Sequence, residues 1–187
     1  LFGWSGSTGS AKFGVSTSTA NSDYIGSFVD WGTNQIGEDA PNTWRTLTYD
    51  EWNYLANSRP NASTKMGVAQ VDGSSGLILL PDEWVCPEGI TFKSGFANFY
   101  DDLKYYKDYQ SFTAEQWELL KAAGAIFFPV SGYRKGTVID KLYVGYYWLA
   151  TPYNSDSAYY FDIWSDEIRL QDTSRYPGFF VRLVQDL

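Results

Sequence analysis

Aromatic side chains recur along the whole chain, even where Gly, Ser, Thr and Asn leave no helical or strand period. In residues 1–43 they are Phe2, Trp4, Phe13, Tyr24, Phe28 and Trp31. Disordered segments are poor in aromatic residues, so these rings favour an ordered, irregular segment held by buried side chains over an unstructured end. Residues 85–112 have the same character. The chain must therefore adopt a fold that tolerates long loops.

The composition excludes several kinds of enzyme chemistry. The 187 residues suit one domain with a sizeable core, and they include 8 Trp, 15 Tyr, 12 Phe, one Cys and no His. Without His there is no Ser-His-Asp triad and no imidazole base or metal ligand. A single cysteine, Cys86, excludes an intrachain disulfide and a thiolate zinc site. We expect no catalytic residue, cofactor or metal, although Ca²⁺ binding by oxygen ligands stays open.

The charge balance bears on the possible partners. There are 14 basic and 22 acidic residues, which gives a net charge of −8. Such a chain is a poor binder of nucleic-acid phosphates and of anionic membrane surfaces. No apolar run approaches the roughly 20 residues of a membrane-spanning helix. We therefore expect no nucleic-acid partner and no membrane insertion. The start at Leu1, without an initiator Met or a signal peptide, suggests a processed or truncated N-terminal edge.

Two capping-box patterns predict two short helices. Thr48 and Glu51 precede the first helix, predicted over 49–57, and Thr113 and Gln116 precede the second, predicted over 114–123. Gly124 occupies the position that follows a helix C-terminus.

Strand signals fill much of the rest of the chain. Asp-Gly at 72–73, between two β-prone runs at 66–70 and 76–80, predicts a hairpin. The other predictions are a strand at 125–130, a turn at 131–136, and strands at 143–150, 158–164, 167–170 and 179–184. The fold class expected from these elements is α+β.

Five motifs in one order carry a resemblance to a known family. They are Thr43-Trp-Arg-Thr-Leu-Thr-Tyr-Asp-Glu-Trp52, Gly76-Leu-Ile-Leu-Leu-Pro-Asp-Glu-Trp84, Gly124-Ala-Ile-Phe-Phe-Pro129, Gly145-Tyr-Tyr-Trp148 and Gly178-Phe-Phe-Val-Arg-Leu-Val184. This order resembles C-type-lectin-fold domains of the branch that includes the formylglycine-generating enzymes. It is most similar to surface domains of gut Bacteroidales and their phages, some of which are variable proteins of diversity-generating retroelements. The similarity spans about 44–184.

The resemblance implies a fold, a binding region and a location. The expected fold is a single C-type-lectin-like α+β domain over 1–187, with two helices, small antiparallel sheets and long loops. The last strands and their connecting loop, here 146–184, would form a solvent-exposed ligand surface. The implied location is extracellular, on a cell surface or a phage virion, and the implied partner is a protein or glycan receptor on a host or neighbouring cell. The oligomeric state stays open.

The sequence departs from the family's motifs in two ways that argue against known activities of the family. The formylglycine-generating enzymes use a Cys pair near the C-terminus, whereas Cys86 lies far upstream. The strings 80–82 (Leu-Pro-Asp) and 30–32 (Asp-Trp-Gly) do not supply the ligands of calcium-dependent sugar-binding lectins. Retroelement-linked members are diversified at Asn codons. Residue types compatible with that route occur at Tyr153, Asn154, Asp156, Ser157, Tyr160, Asp162, Asp166, Asp172, Thr173, Ser174 and Phe180.

The composition of 146–184 is that of a binding surface. It holds 11 aromatic residues in 39 positions and no Lys, and Tyr and Trp give large contact areas at low entropic cost. Because side chains alternate along a strand, one set of residues 159, 161 and 163 is expected in the core. The other set, Tyr160, Asp162 and Trp164, is expected to face solvent because it contains Asp.

We predict a non-enzymatic ligand-binding module whose anchors are Tyr160 and Trp164. The predicted contact residues are Tyr153, Asn154, Asp156, Tyr160, Asp162, Trp164, Asp166, Arg169, Asp172, Ser174 and Tyr176. Two alternatives stay open. One is an enzyme of the sulfatase-modifying type that lacks its Cys pair, or a carboxylate hydrolase. The other is a structural domain that packs on a neighbouring domain through the same aromatic surface.

Overall fold

The chain is mixed α+β, with short helices and several small sheets. A computed structural model describes residues 1–5, 17–20, 24, 26–96, 110–130, 132–140, 144–164 and 167–186. The fold divides into two compact units. The first comprises Leu1–Asn53, Ser131–Asp162 and Arg169–Leu187, and the second comprises Tyr54–Val130 and Ile163–Ile168.

The second unit is built on a four-stranded sheet. Its central hairpin joins β2 (Met66–Val71) to β3 (Ser74–Leu79), with Met66 opposite Leu79 and Val71 opposite Ser74. The connecting residues Asp72 and Gly73 have φ values of 47° and 78°. Positive φ at both positions is the geometry of a type I′ turn, which Asp-Gly favours. The predicted hairpin is therefore confirmed.

The two outer strands of this sheet differ in how well the sequence predicted them. β5 (Ile126–Pro129) pairs antiparallel with β3, close to the predicted strand at 125–130. β4 (Gln110–Phe112) pairs parallel with β2 and was not predicted, because 85–112 was expected to be irregular. Its signal is weak: it has three residues, and its partner in the sheet lies some 40 residues earlier.

The long helix of the second unit covers one face of this sheet. α2 (Ala114–Ala122) begins at a complete capping box in which Thr113 and Gln116 bond to each other's backbone amides. Gly124 follows with φ 90°, as expected of a residue after a helix C-terminus. Leu120 packs against the sheet residues Val71, Ile78 and Phe112, which form the core of this unit.

The first predicted helix is correct only at its start. α1 (Tyr49–Asn53) is α-helical, and the chain continues as a π-helix (Tyr54–Ser58) rather than as α-helix to 57. The Arg59 amide donates to the Tyr54 carbonyl at 2.9 Å, which is the π-type bond. The buried Arg59 guanidinium also donates to the Leu80 carbonyl at 2.8 Å. This contact ties the end of the π-helix to the residue that follows β3.

The first unit contains a three-stranded sheet in the order β10-β9-β8. Its strands are β8 (Gly145–Pro152), β9 (Ser157–Ile163) and β10 (Ile168–Ser174), and each was predicted to within a few residues. The predicted strand at 179–184 is shorter. Only β11 (Leu183–Val184) is regular, and it pairs with β1 (Arg45–Thr46).

A second hairpin of the first unit was not predicted. β6 (Tyr133–Lys135) pairs antiparallel with β7 (Val138–Asp140), where the sequence indicated only a turn at 131–136. Gly136 begins the two-residue connection with φ 56°. The turn therefore lies at Gly136 and Thr137, between two short strands.

The N-terminal rings act as anchors, as expected. Trp4 is buried, and its indole nitrogen donates to the Leu149 carbonyl at 2.8 Å. Trp31 begins a 3-10 turn, and its indole donates to the Gly3 carbonyl at 3.0 Å. Phe13 lies outside the described residues. Among the described helices, none is long and apolar enough to cross a membrane.

Candidate ligand-binding cleft

Asp162 lies in the interior of the first unit, contrary to its predicted exposure. Its residue is 1% exposed, and both carboxylate oxygens accept hydrogen bonds from the Arg169 guanidinium, at 3.1 and 2.8 Å. Such a bidentate pair satisfies a carboxylate that would otherwise be costly to bury. The polarity of Asp162 predicted that its row of side chains faces solvent. This prediction was wrong because it did not consider Arg169 on the neighbouring strand, whose charge compensates the buried carboxylate.

The other two residues of the predicted exposed row differ in burial. Tyr160 is 8% exposed, so its predicted exposure is wrong as well, whereas Trp164 is 36% exposed and belongs to the second unit. Phe161 and Ile163 are buried, as predicted for the other face. Tyr159, also expected in the core, is only half-buried, with its ring 5.3 Å from that of Tyr153.

Both faces of β9 are covered by aromatic rings. On one face Phe161 lies 4.0 Å from Trp52 and 4.9 Å from Tyr147 between ring centroids. On the other face Tyr160 lies 5.1 Å from Phe179 and 6.3 Å from Trp148. A strand covered on both sides cannot be divided into core and solvent faces by alternation. This double burial is the physical reason for the wrong prediction.

The rings on the Tyr160 side leave an open cleft of about 250 Å³. We call it the tyrosine cleft. It is lined by Tyr133, Lys135, Tyr146, Tyr160, Thr173, Tyr176, Pro177 and Phe179. Strands β6, β8, β9 and β10 each contribute at least one lining residue, and the segment after β10 contributes the last three.

The rings of the tyrosine cleft support one another. Tyr160 and Phe179 are buried and form its floor. Tyr146 stacks on Phe179 with centroids 5.1 Å apart and an interplanar angle of 23°, and Tyr133 meets Tyr146 edge to face at 5.5 Å. These are the favoured geometries of aromatic pairs. The floor is therefore held in place before any ligand arrives.

The polar groups of the cleft are the hydroxyls of its tyrosines and of Thr173 and one cation, Lys135. The Tyr160 hydroxyl donates to the Gln171 side-chain oxygen at 3.3 Å. Burial, with the nearby Asp162 carboxylate, raises the pKa of Tyr160 to about 12 and also raises the pKa of Tyr146. Both phenols therefore stay protonated at neutral pH. The Lys135 ammonium lies 5.6 Å from the centre of the Tyr176 ring, at the rim.

A second group of predicted residues lies in the loop between β8 and β9. Tyr153, Asn154 and Asp156 are exposed there, as predicted. The Asn154 side-chain oxygen accepts from the amides of Asp156 and Ser157, each at 2.8 Å. This local bonding is the Asx-turn pattern that fixes a short loop.

Arg175 fixes the same loop from the end of β10. It is 3% exposed, and its guanidinium donates to the carbonyls of Asn154 at 2.5 Å, Gly26 at 3.1 Å and Ser157 at 3.3 Å. It also lies 4.2 Å above the Trp4 ring. Arg175 was not among the predicted residues, and its buried position could not be read from its own neighbourhood in the sequence.

The structure thus divides the predicted site residues. Tyr160 and Tyr176 line the tyrosine cleft, whereas Tyr153, Asn154 and Asp156 form the exposed loop. On β10, Asp172 is exposed and Ser174 is half-buried, and neither lines the cleft. Asp166 lies outside the described residues.

Six residues of the cleft were absent from the predicted contact residues, although four of them lie within the predicted binding region 146–184. They are Tyr133, Lys135, Tyr146, Thr173, Pro177 and Phe179. The Tyr-Arg-Lys run at 133–135 carried a signal, because alternation places Tyr133 and Lys135 on one face of a strand. The segment was expected to be a turn, so that signal was not used.

Metal ligation and similarity to known proteins give no further support for a particular activity. Within the described ranges there is no group of three or more Cys, Asp or Glu side chains placed to hold a metal ion. Comparison with protein-family models, curated proteins and solved structures found no match to this chain.

Proposed function

We propose that this protein is a non-enzymatic ligand-binding module of the adhesin or phage receptor-binding type, with a C-type-lectin-like fold. It would act outside the cell, on a cell surface or a virion, and bind a protein or glycan receptor. The observation that carries this proposal is the tyrosine cleft, an open hollow with a buried ring floor and phenol walls.

The chemistry of the cleft favours holding a ligand over transforming it. Concave sites lined by aromatic rings with a few polar groups are the usual form of ligand sites. The phenols of Tyr146 and Tyr160 are protonated at neutral pH, as tyrosine ordinarily is, and burial raises their pKa values further. The Asp162 carboxylate is held in a two-bond pair with Arg169. The cleft therefore offers contact area and hydrogen bonds.

The proposal predicts that filling the cleft abolishes binding to target cells. Thr173→Trp would place an indole in the cleft, and Tyr176→Ala would remove one of its walls. We expect binding of the labelled protein to a panel of epithelial and bacterial cells, measured by flow cytometry, to fall at least tenfold in both variants. Thr91→Trp and Tyr54→Ala, at exposed positions of the second unit, are the matched controls and should bind like the wild type.

Two outcomes of this experiment would contradict the proposal. One is unchanged cell binding by both folded cleft variants. The other is the absence of saturable binding to any cell type. Either would favour the alternative in which the aromatic surface packs on a neighbouring domain.

The proposal includes sequence diversification of the binding surface. Only positions whose side chains are exposed could vary without disturbing the core. Tyr153, Asp156 and Asp172 are exposed, whereas the Asn154 side chain bonds the loop backbone and Asp162 is buried in its pair with Arg169. We therefore expect sequences of close relatives to scatter at the three exposed positions and to keep Asn154 and Asp162. Equal scatter at 162 and at the exposed positions would contradict this assignment of the variable surface.

A further inference from the structure

The tyrosine cleft has a size, a polarity and a local charge that together define a ligand class. We infer that it binds a single acidic sugar residue, whose ring lies against the tyrosines and whose carboxylate pairs with Lys135. This inference rests on the proposed function, because it assumes that the cleft is the binding site.

Size limits the ligand to one ring. The cleft measures about 250 Å³, just below the roughly 300–1,000 Å³ of sites that enclose drug-sized ligands. A single six-membered ring with its substituents fits this space, whereas a helix or a folded loop does not. A longer chain would continue outward past the exposed Lys135 rim.

Polarity favours a sugar over an apolar side chain of a protein partner. The half-buried lining residues Tyr133, Tyr146 and Tyr176 combine ring surface with hydroxyl groups, and Thr173 adds another hydroxyl to the lining. A Leu or Phe anchor would fill the space but leave these hydroxyls without partners, at a cost in affinity. A sugar ring has C–H groups on its faces, which suit the electron-rich ring faces, and hydroxyls at its edge.

Charge selects an acidic sugar. Within the described part of the chain Lys135 forms no ion pair, and its ammonium rests against the Tyr176 ring. The other charged pair near the cleft, Asp162 with Arg169, is internally neutralised. The other acidic groups nearby include Asp140, across the β6–β7 hairpin from Tyr133, and Asp172, whose carboxylate acts electrostatically on Tyr160. The cleft therefore presents a cation at its rim in a chain whose net charge is −8.

The test compares an acidic and a neutral sugar that are otherwise matched. Methyl β-D-glucuronide and methyl β-D-glucoside would be titrated into the whole protein and followed by NMR. We expect the glucuronide to bind with a Kd on the order of 1 mM and about fivefold more tightly than the glucoside, as for a solvent-exposed charge pair. The preference should shrink at high salt because the pair is screened.

Substitutions at the cation separate this inference from general sugar binding. Lys135→Met should abolish the fivefold preference, Lys135→Arg should keep it, and the control Lys93→Met, at an exposed lysine of the second unit, should not change it. N-acetyl-glutamate, which carries two carboxylates and no sugar ring, should still bind more weakly than the glucuronide.

The outcomes distinguish the failure of this inference from the failure of the proposed function. Equal binding of both sugars, no binding of either, or tighter binding of N-acetyl-glutamate would overturn the inference. If cell binding still depends on Thr173 and Tyr176 in those cases, the cleft remains a ligand site of another specificity. If cell binding does not depend on them, the proposed function fails as well.

Discussion

Arg169→Met is expected to lower the free energy of unfolding by about 3 kcal/mol, because it removes the opposite charge and two hydrogen bonds from a buried carboxylate. Asp162 is 1% exposed and relies on two hydrogen bonds from this guanidinium. Part of the Arg169 side chain reaches solvent, which places the expected cost at the lower end of the range for such pairs. Urea unfolding followed by tryptophan fluorescence measures it.

A double variant shows whether the charge itself causes the loss. Asp162→Asn combined with Arg169→Met removes both charges and should recover most of the lost stability. Lys93→Met serves as the control for removing an exposed cation and should change stability by less than about 0.5 kcal/mol. If Arg169→Met unfolds at the wild-type urea concentration, the pair does not stabilise the sheet and the explanation of Asp162 burial is wrong.

Arg175→Met is expected to loosen the loop between β8 and β9 and to cost about 3 kcal/mol of stability, since three backbone carbonyls each lose a hydrogen bond from the guanidinium. Those carbonyls belong to Gly26, Asn154 and Ser157. The Ser157 carbonyl keeps its bonds from the amides of Tyr153 and Asn154. The contact with the Trp4 ring is lost as well. Amide exchange at Asp156 and Ser157 should quicken at least tenfold, as measured by hydrogen exchange.

The conservative variant Arg175→Lys tests whether the loop is held by the positive charge of Arg175 or by the geometry of its guanidinium. Lysine keeps the positive charge but cannot span three carbonyls as the planar guanidinium does. We therefore expect the Lys variant to lose most of the same protection from exchange. Wild-type exchange rates in Arg175→Met would show that the Asx turn at Asn154 holds the loop without help.

Local signals in the sequence predicted the local parts of the fold. The capping box at Thr113 and Gln116 and the Asp72-Gly73 turn involve residues within three positions of each other. Their chemistry is complete in the sequence, so the helix and the hairpin could be located closely. β4 pairs with a strand some 40 residues earlier, and the residues around Gln110–Phe112 do not indicate that partner.

The site was harder to predict because the burial of its residues depends on side chains that come from other strands and loops. Alternation along β9 correctly placed Phe161 in the core but assigned Tyr160 and Asp162 to solvent. The rings that cover Tyr160 come from β8 and from residue 179, and the cation that satisfies Asp162 comes from β10. An Arg seven positions after a strand Asp, on the next strand, was the available clue.

Aromatic composition predicted a binding region but not its shape. The stretch 146–184 does contribute most of the tyrosine cleft, yet Tyr133 and Lys135 complete it from an earlier hairpin. The absence of Lys from 146–184 was interpreted as typical of a binding interface, whereas the assembled cleft has the Lys135 ammonium, from outside that stretch, at its rim.

The most direct test of the central claim is fluorine NMR of the protein with its tyrosines replaced by 3-fluorotyrosine. Each of the 15 tyrosines gives its own signal, and single Tyr→Phe variants would assign those of the cleft. The probe is the mixture of glycans and proteins released from the cells that the protein binds. The account predicts that signals of Tyr133, Tyr146 and Tyr176 shift together and saturably, while Tyr54 is unchanged. Saturable binding that leaves the three cleft signals in place would contradict it.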